Sequence, residues 1–229
     1  NKDLRIYRPV RMTPVNILFG DVHHPVYKFF LERLHELPPN SSLKTELSDC
    51  VDGATLFLVS YSKILKPSDI EKYSNVIVLH ASDLPSGRGW SPHVWSILSG
   101  HNKITVSAVS AAVKVDTGAV WSKISFFVKS TDLFHEINEK LFRAELNLIQ
   151  DVYSLVVGSK KPKEQDFNSL ITGGYWPRRY PKDSKISIDD TFRAAFNLLR
   201  VSDPDRFPVY FDYEGETFEI LIRKREHHD

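Results

Sequence analysis

The chain has 229 residues, of which 41% are hydrophobic and 26% are charged, and its formal net charge is +1. These values are typical of a folded globular domain; they argue against a disordered chain, a membrane span and a uniformly basic surface for nucleic acid. The single cysteine, Cys50, cannot pair within these residues and has no cysteine partner for a metal site. This usage favours a reducing compartment, so we expect a cytoplasmic protein that binds neither membrane nor nucleic acid.

The chain opens with a strand followed by a helix. The apolar run VNILFGD, residues 15–21, predicts a buried strand that ends at a loop. The segment PVYKFFLERLHEL follows it and predicts a helix, because four apolar residues recur on one helical face: Val26, Phe29, Phe30 and Leu34.

Two more buried strands are predicted at residues 54–62 and 74–80, with a short helical crossover at SDIEKY between them. Strands that alternate with helices predict an α/β fold with a Rossmann-like, mostly parallel sheet and helices on both faces. Active sites in such sheets lie at the carboxyl ends of the strands, and His80 stands at one of these ends.

The middle of the chain predicts a capped helix, two strands and a long helix. Ser91 and Pro92 are typical of a helix start, and Gly100 of a helix stop. Residues 103–128 predict two strands joined by a turn at Asp116-Thr117-Gly118. The long helix is expected from about residue 131 to 153, and one stripe of it predicts core: Ile137, Leu141, Ala144, Leu148 and Val152.

Residues 158–186 are rich in glycine, lysine, proline and arginine and predict mostly loop. A helix at residues 189–201, with Phe192, Phe196 and Leu199 on one side, precedes a β-hairpin that turns at Glu214-Gly215. We therefore divide the chain into a main unit, residues 1–157, and a C-terminal subdomain of loop, helix and hairpin, residues 158–229.

Two polar residues stand out by their position. His80 ends a predicted strand, and Asp116 stands in a predicted turn 36 positions later. The loops around them, SDLPSGRGWSP and VDTG, contain the prolines and glycines that let backbone approach a ligand. A lone histidine at a strand end is more often solvated or structural, and these loops favour a functional site instead.

The pattern His80-x-Ser82-x-Leu84-Pro85-x-x-Arg88-Gly89-x-x-Pro92, a tryptophan-bearing helix, and then Asp116-x-Gly118 resembles the signature of the tetrahydrofolate-dependent formyltransferases. That family includes methionyl-tRNA formyltransferase, glycinamide ribonucleotide formyltransferase and the nucleotide-sugar N-formyltransferases. The likeness covers roughly residues 54–153. The loop SDLPSGRGWSPHVW is most similar to the GDP-perosamine N-formyltransferases of O-antigen and lipopolysaccharide biosynthesis.

The resemblance implies that an amine attacks the formyl carbon of 10-formyltetrahydrofolate, without a metal. This reaction forms a negatively charged tetrahedral adduct and an ammonium that must lose its proton. A histidine suits that proton transfer, which contributes roughly 10²–10⁴-fold in rate, so we expect His80 to be the base and Asp116 to orient and stabilise its ring.

One position departs from the family pattern. The family has an asparagine two residues before the histidine, where its amide polarises the formyl oxygen, and this chain has Val78. Losing such a donor costs roughly 10²–10³ in rate. A protonated His80, Ser82 or a backbone amide is a candidate replacement, and a catalytically weak folate-binding or nucleotide-sugar-binding homologue is the alternative interpretation.

The resemblance also implies where the folate lies. Its pterin ring is expected against the loop at the end of the second predicted strand, residues 54–62, and against the loop that follows His80. The expected folate-binding residues are Tyr61, Lys63, Ile64, Leu84, Pro85 and Asp116.

The C-terminal region bears on the amine acceptor. Methionyl-tRNA formyltransferase has a large β-barrel domain after its catalytic domain, and too few residues follow the long helix here to build one. The segment Arg178-Arg179-x-Pro181-x-Asp183 is instead similar to the tail of nucleotide-sugar N-formyltransferases. The expected acceptor is a 4-amino-4,6-dideoxy sugar on GDP, or on dTDP or UDP, bound by Ser82, Arg88, Trp90, Arg178 and Arg179.

Other functions fit less well. Asp21 and His23 in GDVHH begin like a binuclear metallophosphoesterase motif, but its later segments are absent. No Gly-x-Gly-x-x-Gly motif supports dinucleotide binding. Hydrolysis of 10-formyltetrahydrofolate to formate stays open as a further alternative. An exposed hairpin as apolar as PVYF and FEILI would be unfavourable alone, so we expect a homodimer formed through the C-terminal helix and hairpin.

Overall fold

The computed structural model describes residues 13–167 and 174–225. The histidines at positions 227 and 228 lie outside this range. The strands of the first part of the chain are β1 (Val15–Phe19), β2 (Ser41–Lys44), β3 (Thr55–Val59), β4 (Asn75–His80), β5 (Arg88–Gly89), β6 (Lys103–Ser110) and β7 (Val120–Phe127).

The helices are α1 (Pro25–Leu31), α2 (Pro67–Ile70), α3 (Pro92–Leu98), α4 (Phe134–Val157) and α5 (Phe192–Val201). The remaining strands are β8 (Tyr175–Trp176), β9 (Val209–Tyr213) and β10 (Glu216–Ile220), and single 3₁₀ turns span Leu34–Glu36, Leu47–Asp49 and Pro181–Ser184. Across the described ranges, no helix is both long and apolar enough to cross a bilayer.

Six strands form one central sheet in the order β2-β1-β3-β4-β6-β7. The first four run parallel, and β6 and β7 are antiparallel to their neighbours. The sheet is mostly parallel, and the predicted α/β fold class is confirmed. Its four parallel strands end on one edge, where His80 terminates β4.

The sheet is covered on both faces. Helices α1 and α4 pack on one face, and the opposite face is covered by α2 and the 3₁₀ turn at Leu47–Asp49. The predicted stripe of α4 is confirmed, since all of its members are at most 5% exposed: Ile137, Leu141, Ala144, Leu148 and Val152.

The first helix is shorter than its apolar pattern predicts. It ends at Leu31, and Leu34, expected on its buried face, is 47% exposed. The chain then tightens into a 3₁₀ turn and becomes extended at Leu37, whose ψ is 158°. Pro38 follows Leu37 and disfavours helical backbone there, so the helix could not have continued through this point.

Strand β2 was not predicted. Its four residues, SSLK, are polar at three positions and none is fully buried. They pair with β1 at the edge of the sheet, where packing on a single neighbour demands little apolar side chain. A short polar edge strand has no periodicity that a sequence pattern can detect.

The ends of α3 agree with the sequence only in part. Pro92 opens the helix and Gly100 follows it with φ +86°, as expected. Ser91 stands at the N-cap but has φ +45°, and its side chain makes no capping hydrogen bond. The expected serine cap is therefore wrong, because capping requires extended backbone at this residue.

The C-terminal hairpin is confirmed. Strands β9 and β10 pair antiparallel, and the two turn residues Glu214 and Gly215 both have positive φ, at 47° and 89°. Two positive φ values are the signature of a type I′ turn, the tight turn that matches strand twist.

Helix α5 ties the C-terminal part of the chain to the main unit. The Arg200 guanidinium donates to the carbonyls of Lys129 and Asp132 at 3.1 and 3.3 Å, and Val201 joins a core cluster with Val94 of α3. Leu199 is buried as expected, whereas Phe192, expected on the same side, is 75% exposed and Ala195 is buried in its place. The boundary expected after residue 157 coincides with the end of α4.

Candidate active site

His80 is the last residue of β4 and is only 7% exposed. Its ring lies between two acceptors. Nδ1 is 3.5 Å from Asp116 Oδ1, and Nε2 is 3.0 Å from the Gly87 carbonyl oxygen. The structure therefore brings together the histidine and the carboxylate that the sequence singled out.

Asp116 is held in place from three directions. Its backbone has φ +60°, a conformation that aspartate tolerates better than most residues. Its Oδ2 accepts a hydrogen bond of 3.0 Å from the Gly89 amide, while Gln165 Nε2 donates to the carbonyls of Asp116 and Gly118 at 3.0 and 2.7 Å. The carboxylate is thus fixed against the imidazole with little freedom to turn away.

The tautomer of the His80 ring decides which of its two contacts is a hydrogen bond. A neutral imidazole has one N–H, whereas both nitrogens here face oxygen acceptors. Only the protonated ring donates to both. The neutral ring can act as a base when its proton is on Nδ1, facing Asp116. The Gly87 carbonyl oxygen must then move away from Nε2, so that the lone pair on Nε2 can accept a proton.

The loop that follows His80 is fastened to the sheet by Ser107. The Ser107 hydroxyl donates to the Ser82 carbonyl at 2.7 Å and accepts from the Leu84 amide at 3.3 Å. The Ser82 hydroxyl donates to the Ser86 carbonyl at 2.8 Å, which closes the loop, and the Leu84-Pro85 peptide bond is cis. Ser82 was expected at the substrate site, but its hydroxyl proton is used in this hydrogen bond within the loop.

The residues expected to contact folate differ in exposure. Leu84 is 1% exposed, whereas Ile64 is 78% exposed and Lys63 extends into solvent 4.0 Å from Glu46. Tyr61 is half-buried, and burial raises the pKa of its hydroxyl. Pro85 is half-buried beside Leu84.

The loops that carry Tyr61 and Asp116 expose apolar side chains. Residues from both loops, Tyr61 and Ala111, pack against the same core cluster. Three apolar side chains on these loops stay exposed: Ile64, Val113 and Val115, at 78%, 84% and 44%. Uncovered apolar groups on two adjacent loops form a surface that a ligand can cover.

Two of the arginines expected at the acceptor site, Arg88 and Arg178, lie against aromatic rings. The guanidinium of Arg178 stacks over the Trp90 ring at 4.9 Å, and that of Arg88 lies 5.9 Å from the centre of the Phe167 ring. Arg179 is half-buried, and burial lowers the pKa of its guanidinium. Buried Nε atoms of Arg88 and Arg179 have no hydrogen-bond partner within residues 13–167 and 174–225.

A tryptophan pair that the sequence did not predict holds the arginine segment against α3. Trp95 of α3 stacks on Trp176 with ring centres 5.7 Å apart, and its Nε1 donates to the Pro177 carbonyl at 3.0 Å. The Trp90 amide donates to the Trp176 carbonyl at 3.0 Å. A β-carbon on Gly89 would lie 2.3 Å from that carbonyl oxygen, so only glycine fits there.

Two further histidines, His24 and His93, lie near His80, and of these His93 was not predicted at the site. His93 belongs to the first turn of α3, and its charge interacts with those of His80 and His24. Burial lowers the pKa of His93 and that of His24 to about 4. His93 stands inside the motif quoted for the family likeness, so its position was visible, but nothing in the sequence shows that it is buried.

Val78 contributes no polar group to the site, and the two residues compared with metal ligands, Asp21 and His23, lie on the surface. The Val78 side chain packs against the apolar cluster around Leu58 and provides no donor. Asp21 and His23 are exposed, and in the described part of the chain no group of three or more His, Cys, Asp and Glu side chains is placed to bind a metal ion.

The sequence matches known formyltransferases. The profile of the formyl transferase family matches residues 23–153, more than half of the chain. A bifunctional polymyxin resistance protein ArnA of Wigglesworthia glossinidia brevipalpis is 28% identical over 165 residues, which are 69% of this chain and 24% of that protein. A methionyl-tRNA formyltransferase of Streptococcus gordonii is 26% identical over 235 residues, 96% of this chain and 72% of that protein.

Solved structures share the fold. A 4-N formyltransferase from Francisella tularensis superposes with a TM-score of 0.71 at 17% identity, over 94% of this chain and 99% of that chain. HypX from Aquifex aeolicus, solved in complex with tetrahydrofolic acid, superposes with a TM-score of 0.70 at 16% identity, over 92% of this chain and 38% of that chain. With the family match and the His80–Asp116 pair at the end of β4, these comparisons show that the chain belongs to the formyl transferase family of formyl-transferring enzymes.

Proposed function

We propose that this protein transfers a formyl group to the amine of a 4-amino-4,6-dideoxy sugar linked to a nucleoside diphosphate. GDP-perosamine is the first acceptor to test, followed by dTDP- and UDP-linked sugars. The observation that carries the proposal is the buried contact of 3.5 Å between His80 and Asp116. A buried imidazole beside a fixed carboxylate is suited to taking a proton from an amine.

The chemistry divides between co-substrate and protein. 10-Formyltetrahydrofolate supplies the formyl group: the amine nitrogen bonds to the formyl carbon, the bond from this carbon to N10 breaks, and tetrahydrofolate leaves with a proton on N10. His80 Nε2 accepts the proton that the attacking amine loses, and Asp116 holds Nδ1–H and stabilises the imidazolium that results. The exposed apolar side chains at Ile64 and Val115 would cover the folate ring.

Access to His80 requires a local rearrangement. The Gly87 carbonyl lies 3.0 Å from Nε2 and blocks the only nitrogen that faces away from Asp116. Gly87 has φ +70°, so this segment takes a backbone conformation open mainly to glycine. We propose that the acceptor displaces this carbonyl, while Gly89 stays bound to Asp116.

The acceptor is proposed to enter beside the arginine segment. Arg178 and Arg179 follow Trp176, which is stacked on α3, so both arginines are held near the loop that covers His80. Guanidinium groups suit the charge of a pyrophosphate. A sugar N-formyltransferase from Shewanella sp FDAARGOS_354 shares the fold over 95% of this chain, which supports a sugar acceptor.

The experiment is a formyl-transfer assay with purified protein and 10-formyltetrahydrofolate. The acceptors are GDP-perosamine, the dTDP- and UDP-linked 4-amino sugars, methionyl-tRNA and no acceptor. Formylation of a nucleotide sugar that His80→Ala removes supports the proposal. Formylation of methionyl-tRNA alone, release of formate without acceptor, or folate binding without turnover each overturn it.

Methionyl-tRNA is the second candidate acceptor, because the methionyl-tRNA formyltransferase of Streptococcus gordonii matches 96% of this chain. The formal charge of +1 gives little general attraction to RNA. The two acceptors are separated by salt dependence, since formylation of tRNA should weaken steeply between 50 and 200 mM salt, on the order of the loss typical for phosphate contacts.

We also propose that two copies associate through the C-terminal helix and hairpin. Apolar side chains there remain exposed: Ile188, Phe192, Tyr213, Phe218 and Leu221. Light scattering after gel filtration should give twice the chain mass, and Phe192→Ser with Phe218→Ser should give the monomer mass. A wild-type monomer at micromolar concentration overturns this proposal.

A further inference from the structure

His93 has an unusual environment next to the catalytic pair. The residue as a whole is half-buried, and its Nδ1 is completely covered and has no hydrogen-bond partner among the residues that the structure describes. A covered polar atom without a partner is costly, and such atoms in folded proteins commonly mark a position where a ligand completes the bonding.

The Nε atom of Arg179 is in the same situation: it is covered and without a partner in the described ranges. Arg179 is fixed only weakly by the protein, with two contacts of 3.4 Å from Nη2 to the Asp183 carbonyl and the Ser184 hydroxyl. Its segment is bound to the helix of His93 through the stacked rings of Trp95 and Trp176. The two unpartnered nitrogens are therefore held on elements that touch.

Burial lowers the pKa of His93 to about 4, and three neighbouring groups add to this effect: His24 before α1, His80 at the end of β4 and Arg179 after β8. Carboxylates act on two of these neighbours, Asp183 on Arg179, and Asp203 and Asp21 on His24. His24 Nδ1 accepts the Val26 amide at 3.2 Å, so a neutral His24 ring carries its proton on Nε2 and adds a donor.

Arg179 is the permanent cation of this group, and an anion offers acceptors to Arg179 and to a protonated His93 together. Three histidines would also suit a metal ion, but no group of three or more His, Cys, Asp and Glu side chains is placed to hold one in the described parts of the chain. A phosphate has enough acceptor oxygens to reach both Nδ1 of His93 and Nε of Arg179.

We propose that His93 and Arg179 form a phosphate-binding subsite next to His80, which holds a phosphate of the nucleotide-linked acceptor. The inference rests on the proposed function for the identity of the acceptor, and on the unpartnered nitrogens for the anion. His93 is a binding residue in this scheme: it becomes protonated when the phosphate arrives, because the added negative charge offsets the surrounding positive charge.

The test is isothermal titration calorimetry of the full chain near pH 6 with inorganic pyrophosphate and then with GDP, UDP and dTDP. Each titration is run in two buffers that differ in ionisation enthalpy, which reports the protons taken up. We expect that His93→Gln weakens pyrophosphate binding roughly 10- to 100-fold, the loss typical of a hydrogen bond to a charged group, and that proton uptake falls relative to wild type. Arg179→Gln should weaken binding to a similar degree.

The controls separate this subsite from a structural role. Exposed residues of the same types, His101→Gln and Arg193→Gln, should leave binding unchanged. His93→Asn, which keeps a polar side chain, and thermal melting of each variant detect loss of fold, and tetrahydrofolate affinity should stay at the wild-type value in all of them.

Two results overturn the inference: pyrophosphate binding by His93→Gln with wild-type affinity and proton uptake, or no detectable binding of pyrophosphate to the wild type. Because the probe is pyrophosphate, this outcome is independent of formyl transfer. If the subsite binds pyrophosphate and no nucleotide sugar is formylated, the proposed acceptor is wrong and the subsite stands.

Discussion

Val78 and His80 leave β4 on the same face of the sheet, because side chains two residues apart along a strand point the same way. The family resemblance implies an asparagine at the position of Val78. The side chain here instead packs against the apolar cluster around Leu58. The oxyanion donor next to the base is therefore missing from the strand itself.

Val78→Asn should restore that donor. We expect kcat for formyl transfer to rise by up to roughly 10²-fold, the value of one such donor, and the free energy of unfolding to fall by about 1–3 kcal/mol because an amide enters an apolar cluster. Steady-state kinetics and denaturant unfolding measure the two effects. Val78→Leu is the control for packing. An unchanged kcat in a folded Val78→Asn protein shows that another group already stabilises the oxyanion.

Asp116→Asn should reduce turnover while the fold is kept. Asparagine tolerates the backbone at φ +60°, and its side-chain oxygen still accepts from the Gly89 amide. The negative charge beside His80 is lost, so kcat should fall by roughly 10²–10⁴-fold. The exposed Asp52→Asn serves as the control, with melting temperatures measured for both. A wild-type rate in Asp116→Asn removes the role of this carboxylate.

Gly89→Ala should disturb the site through Trp176. An added β-carbon would lie 2.3 Å from the Trp176 carbonyl oxygen, at a residue with φ +105°. Gly100 also has positive φ, at +86°, but nothing lies within 4 Å of its would-be β-carbon. Gly100→Ala therefore measures the backbone strain alone, about 1–2 kcal/mol.

Unfolding free energies and kcat of the two alanine variants are then compared. We expect Gly89→Ala to be clearly the more destabilising and to lower kcat, because the Gly89 amide moves away from Asp116. Equal stabilities, or full activity in Gly89→Ala, contradict the close packing of these segments.

Glu145→Gln should stabilise the protein at high pH. Glu145 lies in α4 with 4% exposure, its Oε2 lacks a partner in the described ranges, and burial raises its pKa to about 8. The folded chain therefore keeps a proton that the unfolded chain releases above its usual pKa of about 4.5. Stability contributed by this group falls as the pH rises from about 4.5 to about 8 and then levels off.

Denaturant unfolding between pH 5 and pH 9 checks this expectation. In Glu145→Gln the fall should flatten, with a gain of several kcal/mol at the top of the range and little change at the bottom. The exposed Glu164→Gln should leave the curve unchanged. Parallel curves for Glu145→Gln and the wild type contradict a buried, protonated carboxyl.

The sheet and its core were predictable because burial leaves a repeating signal. VNILF and TLFLV are fully buried in the structure, and the stripe of α4 follows helical spacing. Leu34 and Phe192 were predicted to be buried but are exposed, because periodicity carries no information on where a helix begins or ends. Packing of a partner, or Pro38 after Leu37, decides that point.

The contact between His80 and Asp116 was predictable because strand ends gather at one edge and because the family likeness joins the two loops. The tie between Gln165 and the Asp116 loop was not, since a glutamine in a polar loop has no distinguishing pattern. The covered nitrogen of His93 depends on long-range packing by the segment around Trp176, which no local sequence reports.

The family profile ends at residue 153, yet Gln165 holds two carbonyls of the Asp116 loop. The position of the Asp116 carboxylate therefore depends on a residue that lies outside the part of the chain matched by the family profile. Cutting or fusing the protein just after its long helix would preserve the sheet but loosen the aspartate. Tails exchanged between relatives would consequently alter the rate of the reaction.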